Sequence, residues 1–97
     1  MTAEPRNVLK LFISGPSPRS DAAIRTVRRI CEEDLKGAFD FVVIDVRDYP
    51  QAAEEGHILA TPTVVKELPP PIRKVIGDLS NKENILIGLG LLNYTVK

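Results

Sequence analysis

Leu59-Ala-Thr-Pro-Thr-Val-Val-Lys-Glu-Leu-Pro-Pro-Pro-Ile-Arg-Lys-Val-Ile-Gly-Asp-Leu-Ser80 is the stretch of sequence that decides the fold. Its β-branched residues form two short strand-like runs, residues 63–66 and 72–76, and a triple proline lies between them. Proline fixes φ and lacks a backbone N–H, so neither run extends through its neighbouring prolines. The pattern predicts a β-hairpin with a stiff connection.

The prolines of this stretch have a second property. An X-Pro peptide bond is also found in the cis form, and it isomerises in about tens to hundreds of seconds. Pro62, Pro69, Pro70 and Pro71 are therefore four candidate positions for a slow conformational step.

Length and charge limit the classes of protein to which this sequence can belong. We expect the 97 residues to form one domain, with residues 1–6 and 94–97 frayed. Thirteen Lys and Arg balance thirteen Asp and Glu, so net charge favours neither nucleic acid nor a membrane surface as a partner. The polar N-terminus does not resemble a signal peptide. A single cysteine, Cys31, excludes an internal disulfide, and we expect a cytoplasmic protein.

The N-terminal half has the pattern of a βαβ unit. Residues 8–13 and 39–46 are apolar runs typical of parallel strands. Between them a helix is predicted from Ser17 or Ser20, either of which can act as its N-cap, to about Leu35, and Gly37 ends it. One face of that helix is apolar and includes Cys31: Ala23, Ile24, Val27, Ile30, Cys31 and Leu35.

The C-terminal segment carries conflicting local signals. Residues 80–83 have the spacing of a capping box, with Ser80 as the cap, which predicts a helix. Gly88 and Gly90, counted as interior helix residues, each cost a helix about 1 kcal/mol. Ile85 and Ile87 favour a strand. We interpret residues 81–93 as close to a balance between helix and strand.

The predicted order of elements is that of a thioredoxin-like α/β domain, with the Thr61–Pro62 bond where that fold has its cis-proline. Thiol exchange needs a reactive cysteine near the start of the first helix, and residues 14–20 contain none. Glutathione binding through Ser14 or Ser17 stays open. The lone His57 and lone Cys31 indicate no metal, cofactor or catalytic site, so the chain is interpreted as a binding protein rather than an enzyme.

Three blocks of the sequence are distinctive: Leu-Ala-Thr-Pro-Thr at residues 59–63, Leu-Pro-Pro-Pro-Ile-Arg-Lys-Val-Ile-Gly-Asp-Leu-Ser at 68–80 and Ile-Leu-Ile-Gly-Leu-Gly-Leu-Leu at 85–92. Together with residues 8–15 and 45–55, they resemble the KaiB family of clock proteins. The resemblance covers about residues 7 to 93.

The resemblance implies a non-catalytic regulator that binds the KaiC ATPase and recruits or sequesters KaiA and clock histidine kinases. It implies two folds that share the βαβ half: a ground state, βαββααβ, that packs as a tetramer or dimer, and a thioredoxin-like state, βαβαββα, that binds as a monomer. A thioredoxin-like binding or stress-response module without redox activity is the alternative. The family's frequent acidic tail does not follow Lys97, and an hourglass timer is as compatible as an oscillator.

The resemblance also implies site residues. Lys66, Arg73 and Lys74 occupy positions of basic partner-binding groups, although a solvated hairpin rim would explain them as well. Pro62, Pro69, Pro70, Pro71, Gly88 and Gly90 are implied in the fold switch. Gly90 replaces an Asp of many members, so the strand-containing state is expected to gain and Gly90→Asp to raise the thioredoxin-like fraction. His57 replaces a frequent Lys, which suggests pH-dependent assembly.

Overall fold

The structure, a computed structural model, describes residues 7–92. Its elements are β1 (Asn7–Ile13), α1 (Pro18–Arg29), a π-helical turn (Ile30–Asp34), β2 (Phe39–Asp45), α2 (Pro50–Glu55), β3 (Thr63–Leu68), β4 (Arg73–Ile76) and α3 (Lys82–Gly88). This order, βαβαββα, confirms the predicted thioredoxin-like arrangement. Residues 1–6, predicted to be frayed, and residues 93–97 lie outside the described range.

One mixed sheet has the strand order β2-β1-β3-β4. β1 and β2 pair in parallel over seven positions, from Asn7 opposite Phe39 to Ile13 opposite Asp45. β3 pairs antiparallel with both β1 and β4, so the predicted hairpin is confirmed and β4 lies at an edge. The β1 strand is therefore central, as its nearly continuous apolar sequence predicts.

One face of the sheet carries the main core. Side chains alternate along a strand, so Leu9, Leu11 and Ile13 of β1 share a face, and this face packs against α1 and α3. The opposite face carries α2. There Lys10 of β1 forms an ion pair with Glu67 of β3 at 2.8 Å.

The helix α1 begins where the sequence predicts, and the π-helical turn that follows it carries the helical segment to Asp34, next to the predicted end at Leu35. Ser17 is the N-cap, its Oγ accepts a hydrogen bond from the N–H of Ser20 at 3.0 Å, and Pro18 follows as the first helical residue. The predicted apolar stripe is confirmed: its residues are buried, apart from Ile24, which is partly buried. Gly37 takes a φ of +77° and donates its N–H to Cys31, which ends the helical segment.

The helix α3 forms, but its predicted cap is wrong by one residue. Asn81 is the N-cap, and its side chain accepts a hydrogen bond from the N–H of Asn84 at 2.9 Å. Ser80 instead donates its N–H to Asp78 at 3.0 Å in the preceding turn. Asn is as good an N-cap as Ser, and Ser80 already bonds to Asp78 in the preceding turn.

Candidate functional site

The β3–β4 hairpin brings together most of the residues singled out in the sequence. Lys66 pairs with Arg73 across the hairpin, and Lys74 pairs with Val65. The peptide bonds Thr61–Pro62, Leu68–Pro69 and Pro70–Pro71 are cis. Pro62 precedes the hairpin, and the triple proline forms its connection, as predicted.

Lys66 is buried, which corrects the interpretation of a solvated hairpin rim for this residue. Its side chain lies on the core face of the sheet, only 4% of the residue is exposed, and Nζ donates to the carbonyl oxygen of Pro69 at 3.0 Å. Burial lowers the pKa of Lys66, and the charge of Arg73 lowers it further. The triple-proline connection thus supplies the acceptor that lets the hairpin bury this ammonium group.

Arg73 lies on the same face of the sheet, beside the C-terminal end of α3. A Cβ atom built on Gly90 would lie 3.2 Å from Nε of Arg73. The residue is exposed, and within residues 7–92 no hydrogen bond or ion pair engages its guanidinium. A cation at this position complements the negative end of the helix dipole and stays available to solvent.

Lys74 lies on the opposite face of the sheet from Lys66 and Arg73. Its Nζ donates to the backbone carbonyls of Gly56 at 2.6 Å and of His57 at 3.3 Å, just after α2. The structure therefore divides the three predicted basic residues. Arg73 is open, Lys66 is buried beside it, and Lys74 ties the end of α2 to the edge strand. His57 itself is exposed and takes a φ of +54°.

Gly88 is the last residue of α3 and packs directly on β4. A Cβ atom built there would lie 2.5 Å from Cγ2 of Val75, well inside van der Waals contact. Gly88, Arg73, Lys74 and the adjoining Pro71 and Ile72 line a cavity of about 270 Å³ on the surface. The glycine thus lets the helix lie close to the edge strand, at the cost of lower helix propensity.

Gly90 lies beyond the helix, which corrects its interpretation as an interior residue. It takes a φ of +71° as the residue after the cap Leu89, and it donates its N–H to Ile87 at 3.0 Å. The N–H of Leu91 donates to Leu86 at 2.8 Å, and both leucines are buried. These two bonds define a Schellman motif, in which glycine is the preferred residue. Gly90 therefore stabilises this helix end and does not carry the cost of an interior helix glycine, while the effect of Gly90→Asp on the two states stays a prediction.

The loop before α1 has no reactive thiol. Cys31 is buried on the core side of the π-helical turn, and burial raises its pKa to about 11, with Glu32 contributing in the same direction. A cavity of about 260 Å³ beside Pro62 is lined mainly by the start of α1 and the turn after β4. Arg19 crosses its edge and donates to the carbonyl of Gly77 at 3.2 Å.

Two polar contacts were missed in the sequence. Asp45, at the end of β2, accepts hydrogen bonds from the N–H groups of Arg47 at 2.9 Å and Gly15 at 3.3 Å and pairs with the Arg47 guanidinium at 3.1 Å. The side-chain hydrogen bond of Arg47 is the main cause that lowers the pKa of Asp45. The short Asp-Val-Arg spacing is the only sequence signal for this cluster.

The second missed contact connects the two halves of the domain. Lys82, in the first turn of α3, lies 3.2 Å from Oδ2 of Asp34 at the end of the π-helical turn. The two residues are 48 positions apart, so no local pattern indicates their contact.

Within the described range, no group of three or more His, Cys, Asp or Glu side chains is arranged to hold a metal ion. No helix among residues 7–92 is long and apolar enough to cross a bilayer.

Comparison with known sequences identifies close relatives. A family profile described as the KaiB domain matches residues 10–91. The circadian clock oscillator protein KaiB of Microcystis aeruginosa is 55% identical over 90 residues, which are 93% of this chain and 86% of the relative. The protein of the same name from Prochlorococcus marinus strain MIT 9312 is 52% identical over 92 residues, covering 95% of this chain and 88% of the relative.

Comparison with solved structures supports the fold. The N-terminal domain of Synechococcus elongatus SasA aligns with a TM-score of 0.71 and 23% identity, covering 100% of this chain and 92% of that domain. Mitochondrial thioredoxin 3 from Saccharomyces cerevisiae aligns with a TM-score of 0.71 and 21% identity over 89% of this chain and 78% of the thioredoxin. These likenesses show a thioredoxin-like fold.

Proposed function

This chain belongs to the KaiB family, and we propose that it acts as a non-catalytic clock or timing regulator that binds a KaiC-type ATPase. The observation that carries the proposal is the identity of more than half the residues to named clock oscillator proteins over nearly the whole chain. We place it in the cytoplasm, where that ATPase would meet it. KaiA and a histidine kinase are further partners in the same proposal.

The arrangement of the basic residues supports a protein-binding role. Arg73 presents a guanidinium that no described group neutralises, beside an exposed Ile72 and a shallow cavity. Protein interfaces favour arginine next to apolar side chains. The absence of cysteine from residues 14–20 and the high pKa of Cys31 give no support to thiol chemistry at this site.

We also propose that the βαβαββα state is the one that binds and that residues 63–92 rearrange between it and a βαββααβ ground state, a tetramer or dimer. Pro62, the triple proline and the two glycines of the last segment are the residues proposed to take part. Fold switching requires two states within a few kcal/mol of each other, and the conflicting local signals of residues 81–93 are consistent with that requirement.

The test is binding to the KaiC-type ATPase of the same organism, with ATP present, followed over hours by size-exclusion chromatography. A complex that forms slowly indicates rearrangement before docking, and one that forms at once indicates that the binding state is already populated. Absence of a complex at tens of micromolar under several nucleotide conditions would contradict the ATPase as partner.

A matched pair of variants locates the interface. Arg73→Ala is expected to weaken the complex, mainly through its association rate, because an exposed charge steers encounter more than it fixes affinity. Arg25→Ala removes an exposed arginine from α1 that no described contact engages, and it should leave the complex unchanged. Equal loss in both variants would indicate a general charge effect rather than a site at the hairpin.

A further inference from the structure

The edge strand β4 has a free side whose hydrogen-bonding groups can be assigned from the register. Gly77 donates its N–H to the carbonyl of Pro62, and this pair continues the β3–β4 register two residues beyond Val75 opposite Val64. In an antiparallel ladder, hydrogen-bonded pairs alternate with pairs that are not bonded. Val75 and Arg73 therefore direct their backbone groups to β3, while Lys74 and Ile76 direct theirs away from the sheet.

Apolar side chains flank these outward-facing groups. Ile72 is 62% exposed and Ile76 is 56% exposed, and the strand has no neighbour on its outer side within residues 7–92. Exposed edges of this kind are usually blocked by charged side chains, by proline or by a bulge.

Lys74 does not provide that protection. Its ammonium group is held at the carbonyls of Gly56 and His57, on the α2 face of the sheet. No bulge interrupts the β3–β4 register, and the prolines end before Arg73. The outward-facing backbone groups of Lys74 and Ile76 are therefore open at this edge.

We propose that β4 accepts an extended, acidic segment of a partner protein as a fifth strand. Antiparallel addition is slightly more stable per residue than parallel addition. In that direction the partner strand would have apolar residues opposite Ile76 and Val75, followed by two acidic residues, the second of which lies opposite Arg73 and meets its free guanidinium. The chemistry is main-chain hydrogen bonding for affinity, with charge and apolar pairing for selectivity.

Charge complementarity selects an acidic segment over a second copy of this chain. Two copies of β4 paired antiparallel about Lys74 would set Arg73 of each copy opposite Val75 of the other, so its guanidinium would meet no carboxylate. Arg73 has no described carboxylate partner of its own and supplies the charge that a carboxylate on the added strand would meet. Binding of such a segment at β4 does not require that the partner be the ATPase of the proposed function.

The probe is the synthetic peptide acetyl-Thr-Ile-Val-Glu-Glu-Val-Thr-amide, titrated into the ¹⁵N-labelled full chain and followed by amide chemical shifts. Shifts confined to residues 72–77 and their β3 partners are expected. No shift at about 2 mM peptide, a concentration that detects millimolar affinity, would overturn the proposal. Shifts centred on β2, the other edge of the sheet, would overturn the proposal as well. So would β4 shifts that depend on protein concentration in the absence of peptide, because they would indicate pairing with a second copy of the chain.

Two variants test the two parts of the mechanism. Ile76→Pro removes an outward N–H without touching the β3 ladder, and it should weaken peptide binding about fivefold, the effect of one hydrogen bond. Arg73→Glu should lose the acidic peptide and gain the matched peptide in which both Glu are Lys. The charge exchange keeps the proposal testable if the proline variant does not fold, and unchanged preference in Arg73→Glu would overturn it.

Discussion

The two halves of this domain differ in how well their local sequence signals agree with the structure that they form. In residues 7–45, strand β1 is paired on both sides, and α1 with its π-helical turn extends for 17 residues over an apolar stripe. In residues 63–92, the edge strand has four residues and α3 has seven. Both halves contribute to one core, but only the first has local signals that all agree.

The second half depends on individual contacts to keep this arrangement. The ion pair of Lys82 with Asp34 and the hydrogen bond of Arg19 to Gly77 connect it to α1, and the close approach of Gly88 to Val75 fixes α3 on β4. Each contact is weak on its own. The first half therefore follows from its own local sequence, whereas the second half depends on tertiary contacts for the arrangement described here.

Matched core truncations in the two halves should give the largest effects. Leu11 and Leu89 are both fully buried, so Leu11→Ala and Leu89→Ala should each cost about 2–5 kcal/mol. Native-state amide exchange should show loss of protection throughout the domain for Leu11→Ala and loss concentrated in residues 63–91 for Leu89→Ala. The same pattern in both variants would remove the distinction between the halves.

A double-mutant cycle between Gly88 and Val75 should show coupling of about 1–2 kcal/mol. An added Cβ at residue 88 meets Val75, so the gain in helix propensity of Gly88→Ala is realised only when Val75 no longer blocks it. Gly88→Ala should therefore be more favourable in the Val75→Ala background than in the original chain. Denaturant unfolding of the four proteins measures this, and additive free energies would show that Val75 rotates away without cost.

Gly90→Ala should destabilise the thioredoxin-like state by about 1 kcal/mol, because a Cβ is unfavourable at positive φ. Gly90→Asn is the control, since Asn tolerates this backbone conformation and should cost less. Gly90→Asp, expected from the sequence to favour this state, should cost more than Asn because a carboxylate opposes the helix dipole. The fraction of molecules with a folded α3, measured by NMR, gives the order of the three variants. A higher fraction for Gly90→Asp than for the original chain would show that attraction to Arg73 outweighs both the strain at positive φ and the opposition to the helix dipole.

Lys66→Met should stabilise the domain by up to about 1 kcal/mol at neutral pH, because it removes a buried ammonium that lies beside Arg73. The folded-state pKa of Lys66 is lowered, so the native state binds this proton more weakly than the unfolded chain. Stability of the original protein should therefore rise as the pH approaches 10.5, and the variant should lack that part of the rise. If the stability of the original protein and of Lys66→Met changed in parallel with pH, the burial of this charge would be contradicted.

The smallest effect should come from Asp45, whose side chain is exposed to solvent on one side. The pKa of Asp45 is lowered in the folded state. Its contribution to the free energy of unfolding is therefore fully present above the pKa of the unfolded chain, and it disappears as the pH falls through the lower pKa of the folded state. Asp45→Asn should flatten the loss of stability on acidification below pH 5. An unchanged slope in Asp45→Asn would contradict this contribution.

Local patterns predicted most of the first half correctly, for reasons that particular residues make clear. Ser17 and Pro18 fix the start of α1 within one turn, and Gly37 ends the helical segment, because caps act through neighbouring backbone groups. Local patterns misplaced the cap of α3 and the role of Gly90. Asn81 competes with Ser80 one position away, and whether Gly90 lies inside or beyond the helix depends on where α3 ends.

The candidate site was only partly predictable. The family resemblance indicated Lys66, Arg73 and Lys74 as one group, but strand alternation and the position of α2 place Lys74 on the other face. The burial of Lys66 and its bond to Pro69 follow from the shape of the triple-proline connection. Contacts such as Lys82 with Asp34 join residues far apart in the chain, so no periodicity records them.

The sequence by itself determined the βαβ half, the hairpin between prolines, and membership of a family of clock proteins. These depend on short-range rules: strand alternation, helix caps, proline geometry and blocks of identical residues. The tertiary structure alone decided that residues 82–88 are helical here, that Arg73 is open while Lys66 is buried, and that β4 presents a free edge. Each of these depends on which distant element packs against the segment, a choice that near-equal local propensities leave undecided.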